Sequence, residues 1–166
     1  MPSTDEIVVI VDEKNNTVGT SPRSRMRTQG LPHRATYILV FNSTGDLYVQ
    51  KRTPLKDIYP GYYDVAAGGV VLEGETYEEC AERELEEEMG IRGIPLTKLF
   101  DFYHEDGGNR VWGRVYRCTY DGEIVLQEEE VESGEFQRID EILQRGENEK
   151  FTPDGIYVLK RYIHNH

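Results

Sequence analysis

The feature that most constrains this chain is a segment of 23 residues, positions 69–91, in which a glycine-rich lead gives way to a dense run of glutamates. Thr76, followed three residues later by Glu79, predicts a helix start with a capping box. Gly90 supplies the left-handed residue that commonly ends a helix. The segment therefore predicts a loop, a helix over about residues 77–89 and a second loop.

The predicted helix carries acidic side chains on the same side as its apolar ones. At about 100° per residue, one stripe is apolar and contains Tyr77, Cys80, Ala81, Leu85 and Met89. Glu84 and Glu88 project into that sector and Glu87 lies at its edge, so the three carboxylates are neighbours. Burying like charges together is costly without a counter-charge, and hard cations such as Mg²⁺ prefer oxygen ligands. A solvated acidic helix explains the glutamates of the opposite side but fits Glu84 and Glu88 poorly.

The segment resembles the signature box of the Nudix hydrolases. That pattern is Gly, five residues, Glu, seven residues, then Arg-Glu-aliphatic-x-Glu-Glu-x-Gly-aliphatic. Every fixed position is filled here, by Gly69, Glu75, Arg83, Glu84, Leu85, Glu87, Glu88, Gly90 and Ile91. A match at nine specified positions is far more specific than a lone glycine motif.

The resemblance implies an α/β fold, an α/β/α sandwich with a mixed central sheet in which the box forms loop, helix and loop. It implies that Glu84, Glu87 and Glu88 bind Mg²⁺ or Mn²⁺, and that Glu87 and Glu88 are among the catalytic residues. It further implies that Arg83 is one of the catalytic residues and orients a glutamate by ion pairing. Glu75 is expected to support the metal site.

The remainder of the chain alternates predicted strands with a few helices. The predicted strands are 7–11, 36–41, 47–52, 63–71, 96–104, 110–120 and 136–139, and the helices are 22 to about 30, 140–146 and 153–164. Residues 12–19 and 42–46 are predicted turns, and the second turn makes a hairpin of strands 36–41 and 47–52. Ser21 is expected to cap the first helix, with Pro22 at its first position. This alternation predicts a mixed sheet covered on both faces.

Length and composition limit the possible classes of protein. A chain of 166 residues predicts one domain, in which residues 1–33 add a strand and a short basic helix. The net charge of −12 argues against binding nucleic acid. No long apolar run or signal peptide is present, so we expect no membrane span or membrane partner and a cytoplasmic location. Cys80 and Cys118 are expected to be buried apolar residues rather than a disulfide.

Positive charge is concentrated ahead of the box. Arg52 and Lys56 flank the loop that leads to it, so they are predicted to bind phosphate oxygens of the substrate. Gly69 is expected at the substrate as well, with Gly68 in a supporting position. On the first helix, the three arginines at positions 23, 25 and 27 could bind substrate or simply balance an acidic protein, and the sequence favours neither.

Hydrolysis also requires a general base. One candidate is Glu88, and the other lies in the acidic loop of residues 128–132 ahead of the last strand. Related enzymes often place a base in such a loop, and Glu130 is the position we select. The alternative, a merely solvated acidic loop, stays open for each of these residues.

Part of the chain also resembles the isopentenyl-diphosphate isomerases, a specialised relative with the same fold. The resemblance is carried by residues 31–35, 50–52 and 59–61, and Arg52 and Lys56 match that family's diphosphate-binding residues.

Most of the catalytic positions of the isomerase hold different residues. Ala67 replaces the cysteine, Gly69 and Met26 replace two metal-binding histidines, and Gly108 and Arg110 replace the paired glutamates. His33 matches the third histidine, and we interpret it as a core or loop-anchoring residue. Without the thiol and its partner acid, protons cannot be moved on an isoprenoid double bond.

The sequence therefore predicts a hydrolase on an isomerase-like frame. It would use Mg²⁺ or Mn²⁺ to cleave the pyrophosphate bond of a nucleoside diphosphate linked to another moiety, or of a related organic pyrophosphate. The alternatives are an isopentenyl-diphosphate isomerase-like enzyme and a non-catalytic ligand-sensing module. The expected partner is a small diphosphate molecule, and both a monomer and a homodimer stay open.

Overall fold

The computed structural model describes residues 5–165, so residues 1–4 of the predicted N-terminal extension and His166 lie outside it. In this part of the chain the elements follow in the order β1 (Ile7–Val11), β2 (Thr17–Pro22), α1 (Arg23–Gln29), β3 (His33–Phe41), β4 (Leu47–Arg52), β5 (Tyr63–Asp64), α2 (Tyr77–Met89), β6 (Thr97–Asp106), β7 (Asn109–Thr119), β8 (Val131–Gln137), α3 (Ile139–Arg145) and α4 (Pro153–Asn165). No helix in residues 5–165 is long and apolar enough to cross a membrane.

Strand β3 is the centre of the sheet. It runs parallel to β7 over nine residue pairs, and β7 pairs antiparallel with β6. On the other side of β3, isolated bridges attach residues 67–70, and a bridge from Val8 to Leu72 joins β1 to the continuation of that segment. The mixture of parallel and antiparallel neighbours is the mixed sheet that the sequence predicted.

The alternation of side chains along β3 divides the core into two layers. Leu39 packs on one face with Val158 of α4 and Ile142 of α3. Ile38 packs on the other face with Leu85 of α2. Side chains that are fully buried in this way each contribute about 1.5–3 kcal/mol relative to exposure. The helices therefore cover both faces of the sheet, as an α/β/α sandwich requires.

Helix α2 has the predicted boundaries because local signals set both of its ends. The Thr76 side chain accepts a hydrogen bond from the Glu79 backbone N–H at 3.1 Å, and the Glu79 side chain accepts one from the Thr76 N–H at 3.0 Å. At the other end, Gly90 adopts a left-handed conformation with φ of 69°. The capping box and the glycine stop are both confirmed.

The predicted hairpin of β3 and β4 is wrong in its pairing. The two strands meet at a single pair, Phe41 and Leu47, and then separate. Strand β4 pairs instead with β8 and β5, whereas β3 pairs with β7 and residues 67–70. The predicted strand over 63–71 is also wrong, because only β5 and isolated bridges form there.

Some predicted element boundaries also differ from the structure. Residues 17–19 belong to β2, which pairs antiparallel with β1, so the predicted turn is shorter. Helix α1 begins at Arg23, since Pro22 is still extended and the Ser21 hydroxyl donates to the Pro22 carbonyl instead of capping the helix. The last strand covers Val131–Gln137, earlier than the predicted 136–139. Both cysteines are free and buried, as predicted.

Candidate active site

The three glutamates of α2 that are predicted to bind metal differ in how far they are buried. Glu88 is buried with 4% of its surface exposed, the Glu84 side chain is 12% exposed, and the Glu87 side chain is 49% exposed. By contrast, Glu82 and Glu86 on the outer side of the helix are exposed. The predicted separation of core-facing and solvated glutamates is therefore present.

Arg83 joins the glutamates of this region through its guanidinium group. Its Nε lies 2.6 Å from Glu75, and its Nη1 lies 2.9 Å from Glu84 and 3.3 Å from Glu87. Burial alone would lower the pKa of Arg83, but the hydrogen bond to Glu75 and the charge of Glu84 raise it. Burial likewise opposes the charge on Glu75, yet its hydrogen bonds from Arg83 and the Leu72 N–H lower its pKa. Arg83 thus forms ion pairs with three carboxylates, and its orienting role stays a prediction.

Gly69 makes room for the Glu84 carboxylate. A β-carbon at position 69 would overlap Glu84 Oε2 and lie 2.7 Å from its Cδ atom. Burial raises the pKa of Glu84. The positive charge of Arg83 opposes this shift, and the negative charges of Glu130 and Glu87 add to it. Next to it, Gly68 has φ of 136°, a conformation that side chains rarely adopt, and packs against the Thr36 carbonyl. Gly69 thus brings the backbone close to Glu84, whereas Gly68 brings it close to β3.

Gln50 of β4 is a site residue that the sequence prediction missed. Its Nε2 donates to Glu88 Oε1 at 3.1 Å and points toward the Ala66 carbonyl at 3.4 Å. Its Oε1 is buried and has no hydrogen-bond partner within residues 5–165. Burial raises the pKa of Glu88 well above its ordinary value, and the charge of Glu84 adds to this. One signal for Gln50 was available in the sequence. It is a polar residue that directly follows the apolar residues 47–49 of the same strand.

The three carboxylates contact hydrogen-bond donors of Arg83 and Gln50. Among residues 5–165, no three His, Cys, Asp or Glu side chains converge as they stand in an arrangement that could hold a metal ion. Glu84 and Glu87 turn toward Arg83, and Glu88 turns toward Gln50. The donor set nevertheless fits a hard divalent cation, because it offers several carboxylate oxygens and a buried amide oxygen without a partner. Side-chain rotation away from Arg83 would be needed to bring these oxygens together.

A cleft opens beside Gly68 and Gly69, and both predicted phosphate-binding residues line it. Arg52 lies 3.6 Å from Asp64, and its Nη2 donates to the Ile58 carbonyl at 3.0 Å. Lys56 forms an ion pair with Glu130. The predicted base and a predicted phosphate-binding residue are therefore direct neighbours.

Two aspartates that line the cleft, Asp64 and Asp154, were not predicted from the sequence. Asp154 accepts a hydrogen bond from the Tyr37 hydroxyl at 2.8 Å. Burial raises the pKa of Asp64 from 3.8 to about 6, Arg52 opposes this, and the nearby charge of Asp154 adds to it. The two aspartates come from segments about ninety residues apart, so no local spacing indicates their meeting.

Helix α1 also contributes to the cleft. Arg23 and Arg27 line it, whereas Arg25 on the same helix is exposed. His33 lines it too but is buried, with its Nδ1 3.0 Å from the Leu31 carbonyl oxygen. Burial lowers the pKa of His33 to about 4. This contact agrees with the loop-anchoring role expected for His33.

Comparison with known proteins identifies the family. Residues 31–161 match the NUDIX domain. The chain belongs to the NUDIX domain family. It is 42% identical over 158 residues to the uncharacterized Nudix hydrolase PA4841 of Pseudomonas aeruginosa, covering 95% of this chain and 94% of that protein. The uncharacterized Nudix hydrolase YfcD of Escherichia coli is 43% identical over 158 residues, covering 95% of this chain and 87% of that protein.

A solved structure confirms the predicted α/β Nudix fold. The crystal structure of DR0079 from Deinococcus radiodurans superposes with a TM-score of 0.84 and 26% identity, covering 94% of this chain and 98% of that chain. The Nudix box thus lies on the loop, helix and loop expected of it. The metal-binding, catalytic and substrate-binding roles of individual residues stay predictions.

The resemblance to isopentenyl-diphosphate isomerases also stays a prediction. Ala67, at the position of the isomerase cysteine, is buried and bridged to β3. The thiol of Cys80 approaches the Gly69 carbonyl at 3.5 Å, but burial raises its pKa to about 12. A thiol with so high a pKa does not supply the reactive thiolate that cysteine chemistry uses.

Proposed function

We propose that this Nudix protein is a divalent-metal-dependent hydrolase. It cleaves the pyrophosphate bond of a nucleoside diphosphate linked to another moiety, or of a related organic pyrophosphate. The observation that carries the proposal is the burial of the carboxylates of Glu84 and Glu88, because Glu84 lies against Gly69 and Gly69 lines a cleft. Arg52 and Lys56 line the same cleft. An acidic protein of net charge −12 needs such local positive charge to bind an anionic small molecule.

Glu84, Glu87 and Glu88 would hold Mg²⁺ or Mn²⁺. A bound divalent cation supplies charge neutralisation of the diphosphate and activation of water. Arg83 positions Glu84 and Glu87 through the ion pairs it makes with both. Gln50 fixes the orientation of Glu88 through the hydrogen bond from its amide. Glu84 and Glu87 would exchange their contacts with Arg83 for the cation when they bind it.

The remaining residues act on the substrate and on water. Arg52 and Lys56 hold phosphoryl oxygens as negative charge develops on them. A water oxygen forms a bond to phosphorus, the bridging P–O bond breaks, and the departing phosphate takes the bond's electron pair. Glu130 accepts the proton of the attacking water, with Glu88 as the other candidate base. Because Lys56 pairs with Glu130, substrate binding to Lys56 would free the carboxylate for this role.

The proposal is tested by substitution combined with a substrate screen. The screen measures products from nucleoside diphosphate sugars, dinucleoside polyphosphates, NADH, ADP-ribose, coenzyme A and isoprenoid diphosphates, with Mg²⁺ and with Mn²⁺. With a substrate found, Glu87→Gln and Glu88→Gln are expected to reduce kcat by about 100-fold or more. Glu82→Gln is the matched control, since Glu82 is exposed on the other side of α2. Wild-type rates in both site variants would remove the metal assignment.

A further inference from the structure

The three arginines of α1 are not equivalent. Arg23 and Arg27 are one turn apart and line the cleft together with Arg52, Lys56 and Gly69. Their side chains are only 22% and 19% exposed, whereas Arg25 between them is exposed to solvent. A helix that merely balanced the charge of an acidic protein would have no reason to separate its cations in this way. The family match begins at residue 31, so it does not include this helix.

Arg23 and Arg27 share an acidic partner. Asp57 lies 2.9 Å from Arg23 Nε and 3.1 Å from Arg27 Nε, so one carboxylate serves two guanidinium groups. Arg23 has Glu6 as a second acid at 3.1 Å. The second contact of Arg27, at 3.2 Å, is the neutral amide oxygen of Asn109. Among residues 5–165, Arg27 has no second acid within ion-pair distance, so the carboxylate that balances its charge is one it shares with Arg23.

The charges around Arg27 also reflect this sharing. Burial lowers the pKa of Arg27, and the charges of Arg23 and Arg52 lower it as well, against the opposing effect of Asp57. Arg23 is also close enough to Glu84 for their charges to interact. The arginines thus line the same cleft as Arg52, and Arg23 is within electrostatic range of Glu84 of the Nudix box.

We propose that Arg23 and Arg27 bind a phosphate group of the substrate, which makes α1 part of the substrate-binding site. The inference rests on the proposed function in that the ligand is a diphosphate compound. Guanidinium groups suit this role, because their planar donors match phosphate oxygens in pairs. Together with Arg52 and Lys56, they give the cleft enough cations for both phosphates of a diphosphate. Asp57 occupies the two guanidinium groups until a phosphate replaces it.

The experiment measures binding of inorganic pyrophosphate to the full chain by calorimetry in EDTA, so that neither metal nor catalysis contributes. The Arg23→Gln/Arg27→Gln double variant is expected to bind pyrophosphate at least tenfold more weakly than wild type. Arg25→Gln, the matched control on the same helix, is expected to stay within twofold. Unchanged binding in the double variant, an equal loss in Arg25→Gln, or no binding to the wild type would overturn the proposal.

A second measurement uses the wild-type protein and does not depend on the folding of a variant. Phenylglyoxal modifies arginines, and peptide mass spectrometry reports the rate at each position. Pyrophosphate is expected to slow modification of Arg23 and Arg27 at least threefold and to leave Arg25 unchanged. Equal rates with and without pyrophosphate would contradict the proposal. Failure of the proposed function is distinguishable, because it appears as full activity in Glu87→Gln while the protection of Arg23 and Arg27 persists.

Discussion

Gly69 and Glu84 share a space that has room for only one side chain. The Glu84 carboxylate occupies the position that a β-carbon at residue 69 would take, with the Glu84 Cδ atom 2.7 Å from that point. Gly69 does not have a positive φ, so the backbone itself would accept another residue. The requirement for glycine in the Nudix box is therefore a requirement for the position of the glutamate.

Gly69→Ala is expected to displace Glu84 and leave the fold intact. We expect activity with Mg²⁺ to fall by about 10- to 100-fold, as when a group that orients a metal ligand is lost. Gly19→Ala is the matched control, because a β-carbon there meets no atom within 4 Å. The measurement is the dependence of rate on Mg²⁺ concentration. An unchanged dependence in Gly69→Ala would show that the crowding at Glu84 has no role in metal binding.

Glu130→Gln tests the choice of general base. If Glu130 accepts the proton of water, its loss is expected to reduce kcat by about 100- to 10,000-fold, with a smaller change in KM. Glu129→Gln is the matched control, since Glu129 is the exposed neighbour in the same loop. The measurement is the steady-state rate as a function of pH. A rate near wild type in Glu130→Gln would transfer the assignment to Glu88.

Asp64 is expected to make the folded state less stable as the pH rises. Burial raises its pKa from 3.8 to about 6, so between these values the folded protein holds a proton that the unfolded chain releases. Stability from this group is therefore complete below pH 3.8 and is lost as the pH rises through about 6. The loss is up to about 3 kcal/mol.

Urea unfolding of the wild type and Asp64→Asn at several pH values measures this effect. The difference in unfolding free energy between the two proteins is expected to shift against the wild type as the pH rises from 4 to 7. Asp140→Asn is the control, because Asp140 is exposed. A difference that stays constant with pH would show that Asp64 does not titrate in this range.

Thr76→Ala is expected to lower the unfolding free energy by about 1 kcal/mol, because it removes the oxygen that accepts from the Glu79 N–H. Urea unfolding measures the change. Thr28→Ala, at an exposed position of α1, is the control. A loss in Thr76→Ala no larger than in the control would mean that tertiary packing alone sets the start of α2.

The sequence predicted α2 and its charged face because their signals are local. The capping box, the glycine stop and the apolar stripe all fall within one segment of the chain. The contacts of Arg83 with Glu75 and Glu84 follow from the same segment. A helix and its own side chains can therefore be predicted at this level of detail.

The errors concern partners that lie far apart in the sequence. A hairpin was expected because β3 and β4 are joined by a short turn, yet the long partner of β3 is β7, more than seventy residues away. Strand β2 was missed because most of its residues are exposed and show no alternation of apolar and polar side chains. Gln50, Asp64 and Asp154 reach the site from separate elements, so their roles depend on a tertiary arrangement that spacing does not reveal.

The separation of β3 and β4 after a single residue pair has a consequence for how this architecture can vary. The two strands diverge like the sides of a wedge, and the cleft opens between their far ends, at His33 on one strand and Arg52 on the other. Residues 67–70, which bridge to β3 and lead into the box, line this cleft. Residues of the loop that follows Arg52 line it as well. Under the proposed function, changes in that loop would alter which attached group the cleft accepts, while the Nudix box keeps its place.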